Sequence, residues 1–186
     1  MNHTTEPILT TEQRNRWFEE LTPKQKRIQI ALDVLKHLRS GYLQASKGVF
    51  AHVGDSCQFG DRWDPDRNTQ EFLQDQQQCQ VCGIGALLVT RTLEYNEVQI
   101  NHNPKRNEVH QGLQGIFSES QLALIENAFE KDVEVNAYAP QDICTAAAKM
   151  YRGSTNSKTR LAAIMRNIIR NGGTFVVRGF TAQQCS

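Results

Sequence analysis

The chain is 186 residues long, carries five cysteines and has a net charge of +1. That length makes one domain and buries about 70% of the unfolded surface, so stability needs no disulfide framework. The most apolar uncharged run, Val81–Thr90, falls far short of the roughly 20 residues that cross a bilayer, which excludes that segment as a membrane span.

The odd cysteine count, the lack of a charged-then-apolar leader, and Cys144 inside a helical pattern together predict free thiols in a reducing cytoplasm. Charge is unevenly spread. After Asp142 no acidic residue occurs, while Lys149, Arg152, Lys158, Arg160, Arg166, Arg170 and Arg178 give that segment +7 and leave −6 for residues 1–142. Such asymmetry points to an acidic partner, or to two halves that attract each other.

Residues 1–9 lack periodicity and are expected to form a flexible arm, with one helical domain over residues 10–186. A short helix is predicted at Thr11–Glu20, anchored by Trp17 and Phe18. Thr22-Pro23-Lys24-Gln25 combines an N-cap, Pro at the first helical position and a capping-box glutamine. The helix it starts runs to about Ser40, with Ile28, Ala31, Leu32, Leu35 and Leu38 as its apolar stripe, His37 off that stripe and Gly41 as its stop. Ser46-Lys47-Gly48 separates YLQA from VFAH and predicts a two-stranded hairpin packed on the helices. Residues 54–78 are polar, broken by Gly54, Gly60 and Pro65, and read as a surface excursion with a short helix near Asn68–Gln76, folded back by Phe59, Trp63 and Phe72.

The stretch Cys79–Leu93 then predicts a buried helix around which the other elements are arranged. Gly83 and Gly85 in its first turn cost about 1 kcal/mol each relative to Ala. That cost calls for a compensating close approach of another backbone, or for an anion at the helix start. Asn101–Gly115 reads as a loop. Ser118-Glu119-Ser120-Gln121 forms a second capping box, starting a helix to about Lys131 with an apolar arc and Glu119, Glu126 and Glu130 together on its other side. Two more helices are predicted at Gln141–Tyr151 and about Lys158–Arg170, the latter ended by Gly172-Gly173, and Phe175-Val176-Val177 reads as a short final strand that pairs with the hairpin.

Four stretches carry a resemblance: Arg27-Ile28-Gln29-Ile30-Ala31-Leu32-Asp33-Val34-Leu35, Cys79-Gln80-Val81-Cys82-Gly83-Ile84-Gly85-Ala86-Leu87, Phe117-Ser118-Glu119-Ser120-Gln121-Leu122-Ala123-Leu124-Ile125-Glu126, and Arg160-Leu161-Ala162-Ala163-Ile164-Met165. In this order the chain resembles a group of small uncharacterised bacterial and bacteriophage proteins. The resemblance spans most of the chain except residues 54–78. It implies the product of an accessory or mobile-element gene and supplies no reaction, cofactor or catalytic residue.

Chemistry has four candidate seats. Cys79 and Cys82 have zinc-ligand spacing, but Cys57, His52, His102 and His110 supply no second close pair, so small buried thiols are the competing reading. Cys82 also stands at a helix start, where the dipole lowers a thiol pKa, and a cysteine hydrolase would add His52, His102 or His110 as base. His102-Asn103 with His110 superficially resembles a metal-nuclease loop, against an ordinary exposed turn. Finally, Arg160, Arg166 and Arg170 are read as a cationic ridge opposite Leu161, Ile164 and Ile168, either meeting an acidic partner or pairing with Glu119, Glu126 and Glu130.

The expectation is therefore a mainly α, single compact domain of about five or six helices with a minor β-hairpin. It acts by binding a protein or nucleic-acid partner with an acidic surface, through Arg160, Arg166 and Arg170, without membrane or cofactor. The alternatives are a cysteine-dependent hydrolase using Cys82 and a zinc-stabilised module using Cys79 and Cys82.

Overall fold

The computed structural model describes residues 10–53, 69–74, 77–95, 106–131 and 138–186. The expected arm at residues 1–9 and most of the 54–78 excursion, with Cys57, Phe59 and Trp63, lie outside the described residues, as does His102. The chain is mainly α with a small sheet, and eight helices occur among the described residues.

Helix α1 (Thr11–Glu20) begins at a reciprocal capping box between Thr10 and Gln13, and of its two expected aromatic anchors only Phe18 is buried, Trp17 being 39% exposed. Helix α2 (Pro23–Ser40) starts at the Thr22–Gln25 box and ends at Gly41, whose φ of 85° is open to glycine at no steric cost. Its buried face is Ile30, Ala31, Val34, Leu35 and Leu38. At 3.6 residues per turn Leu32 lies about 130° from the centre of that face, and it is exposed. His37, expected off the stripe, is buried at its margin.

The predicted hairpin does not form. Strands β1 (Leu43–Ala45) and β2 (Ala51–Val53) are separated by β3 (Cys79–Val81), giving the order β1-β3-β2. Leu43 is in register with Cys79 in a parallel pair, and Ala51 with Val81 in an antiparallel one. Neighbouring residues across a sheet share a face, so Gln44, Gln80 and His52 form a polar row while Leu43, Cys79, Val81 and Ala51 are buried.

Helix α3 (Thr69–Gln74) precedes β3, and helix α4 (Gly83–Tyr95) follows it directly. Cys82 caps α4: its carbonyl accepts from Ala86 N–H at 3.0 Å and its sulfur from Gly85 N–H at 3.4 Å. Every residue from Val81 to Thr90 is buried, and α1, α2, α3, α5 (Arg106–Leu113) and α6 (Glu119–Glu130) all pack on α4. Close packing meets the demand raised by the two glycines, of backbone at Gly85 and of side chains at Gly83. A Cβ on Gly85 would stand 1.4 Å from the Phe50 carbonyl oxygen, and one on Gly83 2.9 Å from Phe129 Cβ.

Helix α5 corrects part of the loop expected at Asn101–Gly115. Polar residues dominate it, but Val109 and Leu113, four residues apart on one face, are both buried. In α6, Ser118 accepts from Gln121 N–H at 3.2 Å, yet the glutamine side chain does not return to complete the capping box. It instead grips the C-terminal segment: Gln121 Nε2 donates to Phe175 O at 3.1 Å and to Cys185 O, and Phe175 N–H donates to Gln121 Oε1 at 2.6 Å. Asn167 of α8 (Ser157–Arg170) clamps Val176 in the same manner, at 2.9 Å and 2.8 Å. Residues 174–177 are therefore not the predicted strand. Two side-chain amides satisfy the buried backbone groups that a neighbouring strand would otherwise take. Helix α7 (Gln141–Met150) packs on α6, and α8 on both α2 and α6.

Candidate functional site

Helix α8 is the most amphipathic stretch of the C-terminal third. Leu161, Ile164, Met165 and Ile168 are fully buried, whereas Arg166 and Arg170 are exposed and form no ion pair among the described residues. The ridge expected from the sequence is corrected at Arg160, which is 2% exposed. At about 100° per residue Arg160 lies only about 40° from Ile164, four positions on, so it flanks the apolar stripe rather than opposing it. Its guanidinium donates to Phe129 O in the last turn of α6, lies 5.4 Å from the centre of the Phe129 ring, and reaches Ser154 O at 3.4 Å. A cation at a helix C-terminus answers the carbonyl end of the dipole. Burial works against the charge of Arg160 and the nearby Glu130 carboxylate offsets part of that. Arg160 is thus held inside the fold, away from the exposed face that carries Arg166 and Arg170.

Of the acidic stripe, Glu130 acts on the buried Arg160, and the stripe's other contacts lie away from the exposed arginines. Glu119 is bonded to His110 Nδ1, Glu130 accepts from Gly48 N–H at 3.2 Å, and Glu126 is buried beside it on the wall of a pocket. What remains on the basic side is a set of exposed cations from three elements: Lys149 on α7, Lys158, Arg166 and Arg170 on α8, and Arg178 on the segment that Asn167 holds. Arg170 and Arg178 both act on the half-buried Tyr151. Burial raises its hydroxyl, and the Asn167 amide and the two guanidinium charges pull it back.

The two cysteines of the C-x-x-C do not converge. Cys79 lies in the sheet close enough to Tyr42 to oppose its ionisation. Cys82 lines a recess of about 260 Å³ with Gly48, Val49, Phe50, Glu126, Asn127 and Glu130. Burial pushes both thiols up to about 12, and for Cys82 the Glu130 and Glu126 carboxylates add to it. Desolvation and like charge together outweigh the helix dipole. Among the described residues no histidine lines this recess. His52 belongs to the polar row of the sheet, His110 holds Glu119, and His37 holds Glu94. No group of three His, Cys, Asp or Glu side chains among the described residues is arranged to hold a metal ion. In the native protein a thiol reagent at neutral pH should therefore label Cys82 only as fast as the fold opens, which mass spectrometry of the alkylated peptide would check. Labelling within minutes in the folded state would instead favour a nucleophilic Cys82.

One polar cluster gave no signal in the sequence. Glu94 at the end of α4 is 7% exposed, and its Oε1 meets His37 Nε2 at 2.8 Å and Lys36 Nζ at 3.3 Å, while Oε2 meets Arg14 of α1. Beside it Tyr95 donates to Asp33 Oδ2 at 2.6 Å and stacks on Phe18 at 3.8 Å. These groups tie α1, α2 and α4 together and line none of the Cys82 recess. Their (i, i+1) positions put charged residues inside a helical pattern, a signal easily read as a solvated face.

Comparison with family models, curated proteins and solved structures finds no match to this chain.

Proposed function

We propose that this protein is a non-enzymatic binding protein, an accessory product of the phage or mobile-element kind its sequence resembles. It works through the basic surface of α7, α8 and the C-terminal segment on an acidic macromolecular partner. The carrying observation is charge segregation kept at the surface: Arg166, Arg170 and Arg178 are exposed, none of the three is in an ion pair among the described residues, and no Asp or Glu residue follows Asp142. Clustered uncompensated cations raise the local concentration of a polyanion and speed its capture. A hydrolytic reading built on Cys82 draws no support from a buried, protonated thiol.

Because Arg166, Arg170 and Arg178 are exposed, reversing all three to Glu should leave the fold intact by circular dichroism. The same reversal should abolish recovery of whatever partner co-purifies with the wild-type protein from its native cell, and raised salt should elute that partner. Undiminished recovery by the reversed protein would sink the proposal.

A further inference from the structure

We infer that the acidic partner is duplex nucleic acid, held by its phosphates without stacking of bases; this rests on the basic surface being the working face. Two features of that face carry it. The first is spacing. Arg166 and Arg170 are one helical turn apart on an exposed face of α8, about 6 Å along the axis at 1.5 Å per residue. A duplex strand offers a phosphate every 3.4 Å of its axis, so the two guanidinium groups reach separate phosphates along one strand. Arg178 adds a cation from a different element near Arg170, since both guanidinium charges act on Tyr151, and the backbone leading to it is held because Asn167 bonds both the N–H and the carbonyl of Val176 at 2.8 Å and 2.9 Å. A preset array of cations suits a rigid, regularly charged rod better than a flexible acidic peptide, which brings its own ordering cost.

The second feature is the missing platform. Proteins that hold single strands present aromatic faces on which successive bases stack. Among the described residues no ring near the exposed arginines is fully open: Phe175 is fully buried, Tyr151 and Phe180 are partly buried against the core, and the exposed Tyr138 precedes α7 at the opposite end of that helix from Lys149. Arginine and lysine that reach phosphates position a protein on a duplex without stacking on its bases, whereas single strands are held largely by stacking.

The test measures binding of the full chain to a 20-base-pair DNA duplex, to one of its strands alone and to poly-glutamate, each across a salt series. Duplex binding should be at least tenfold tighter than single-strand binding. Its log–log salt slope should be about −2.7, for three phosphates neutralised at about −0.9 each, and Arg166→Gln with Arg170→Gln should cut that slope by about two-thirds. Those side chains make no hydrogen bond among the described residues, and unchanged circular dichroism would verify that the fold does not need them. Equal or tighter binding of the single strand would overturn the inference while keeping the basic face as the working surface. Binding of poly-glutamate alone would also overturn it and point to an acidic protein. Binding of none of the three at low salt would remove the nucleic-acid partner altogether, while a partner still recovered through Arg166, Arg170 and Arg178 would preserve the broader proposal.

Discussion

Gly85→Ala is expected to be the most damaging single methyl in this protein. The added carbon would sit 1.4 Å from the Phe50 carbonyl oxygen, with the Phe50 carbonyl carbon at 2.5 Å and its Cα at 3.2 Å. No side-chain rotation relieves a clash with backbone, so α4 and the segment leading into β2 must separate. Overpacking commonly costs about 1–3 kcal/mol and more where the backbone must move; here the loss should exceed about 3 kcal/mol, read from the midpoint of urea unfolding. Gly83→Ala is the control. Its Cβ meets Phe129 Cβ at 2.9 Å and Cγ at 3.2 Å, a milder overlap that a shift of a few tenths of an ångström of α6 away from α4 relieves. A smaller loss is expected there, and a Gly85→Ala protein as stable as wild type would refute the close approach.

Glu94 sets the second large effect, in acid. Burial alone would raise its carboxyl, but the hydrogen bond from His37 and the charges of Lys36, His37 and Arg14 hold it down at about 2. The folded pKa lies below the unfolded one, near 4.5. The stabilisation is therefore complete above about pH 4.5 and disappears as pH falls toward 2. With Arg14 and Lys36 partly in solvent, it amounts to about 2–3 kcal/mol. Asp33, whose carboxyl is raised by burial despite its bonds to Tyr95 and Gln29, acts in the opposite sense. Comparing wild type with Glu94→Gln removes that contribution. The variant should be less stable by about 2–3 kcal/mol at pH 7, and the gap should close below pH 3 in urea unfolding monitored by fluorescence. A gap independent of pH would mean that Glu94 is not the charged centre of the cluster.

Helices were legible wherever a local signal existed. Thr22, Pro23 and Gly41 bracket α2 because caps act on groups within one turn, and the fully apolar Val81–Thr90 run could only be interior. The failures have one physical origin, which is that the deciding partner lies far along the chain. Leu43 and Ala51 were paired with each other although each pairs with β3, more than 25 residues on. Val176 looked like a strand because nothing nearby showed that Asn167 and Gln121 would satisfy its neighbourhood. At the site, Arg166 and Arg170 were readable from the helical period. The helical period also sets Arg160 about 40° from Ile164, beside the apolar stripe, and its buried place reflects α6 ending beside it at Phe129. Glu126 and Asn127 beside Cys82 came from a helix whose residues 121–129 are all buried, where amphipathicity gives no direction.

The sheet order β1-β3-β2 also bears on how the chain is made. On a ribosome the outer strands at residues 43–45 and 51–53 emerge together with no centre to bind, each showing unpaired backbone amides and carbonyls until residues 79–81 arrive. A nascent chain stalled between those points holds two open edges at once, the condition under which like segments of neighbouring chains pair. Entry of the third strand pairs the inner edge of each outer strand and delivers α4 to the interior in a single late event, so truncated products ending before residue 79 should accumulate as aggregates, whereas the completed chain should not.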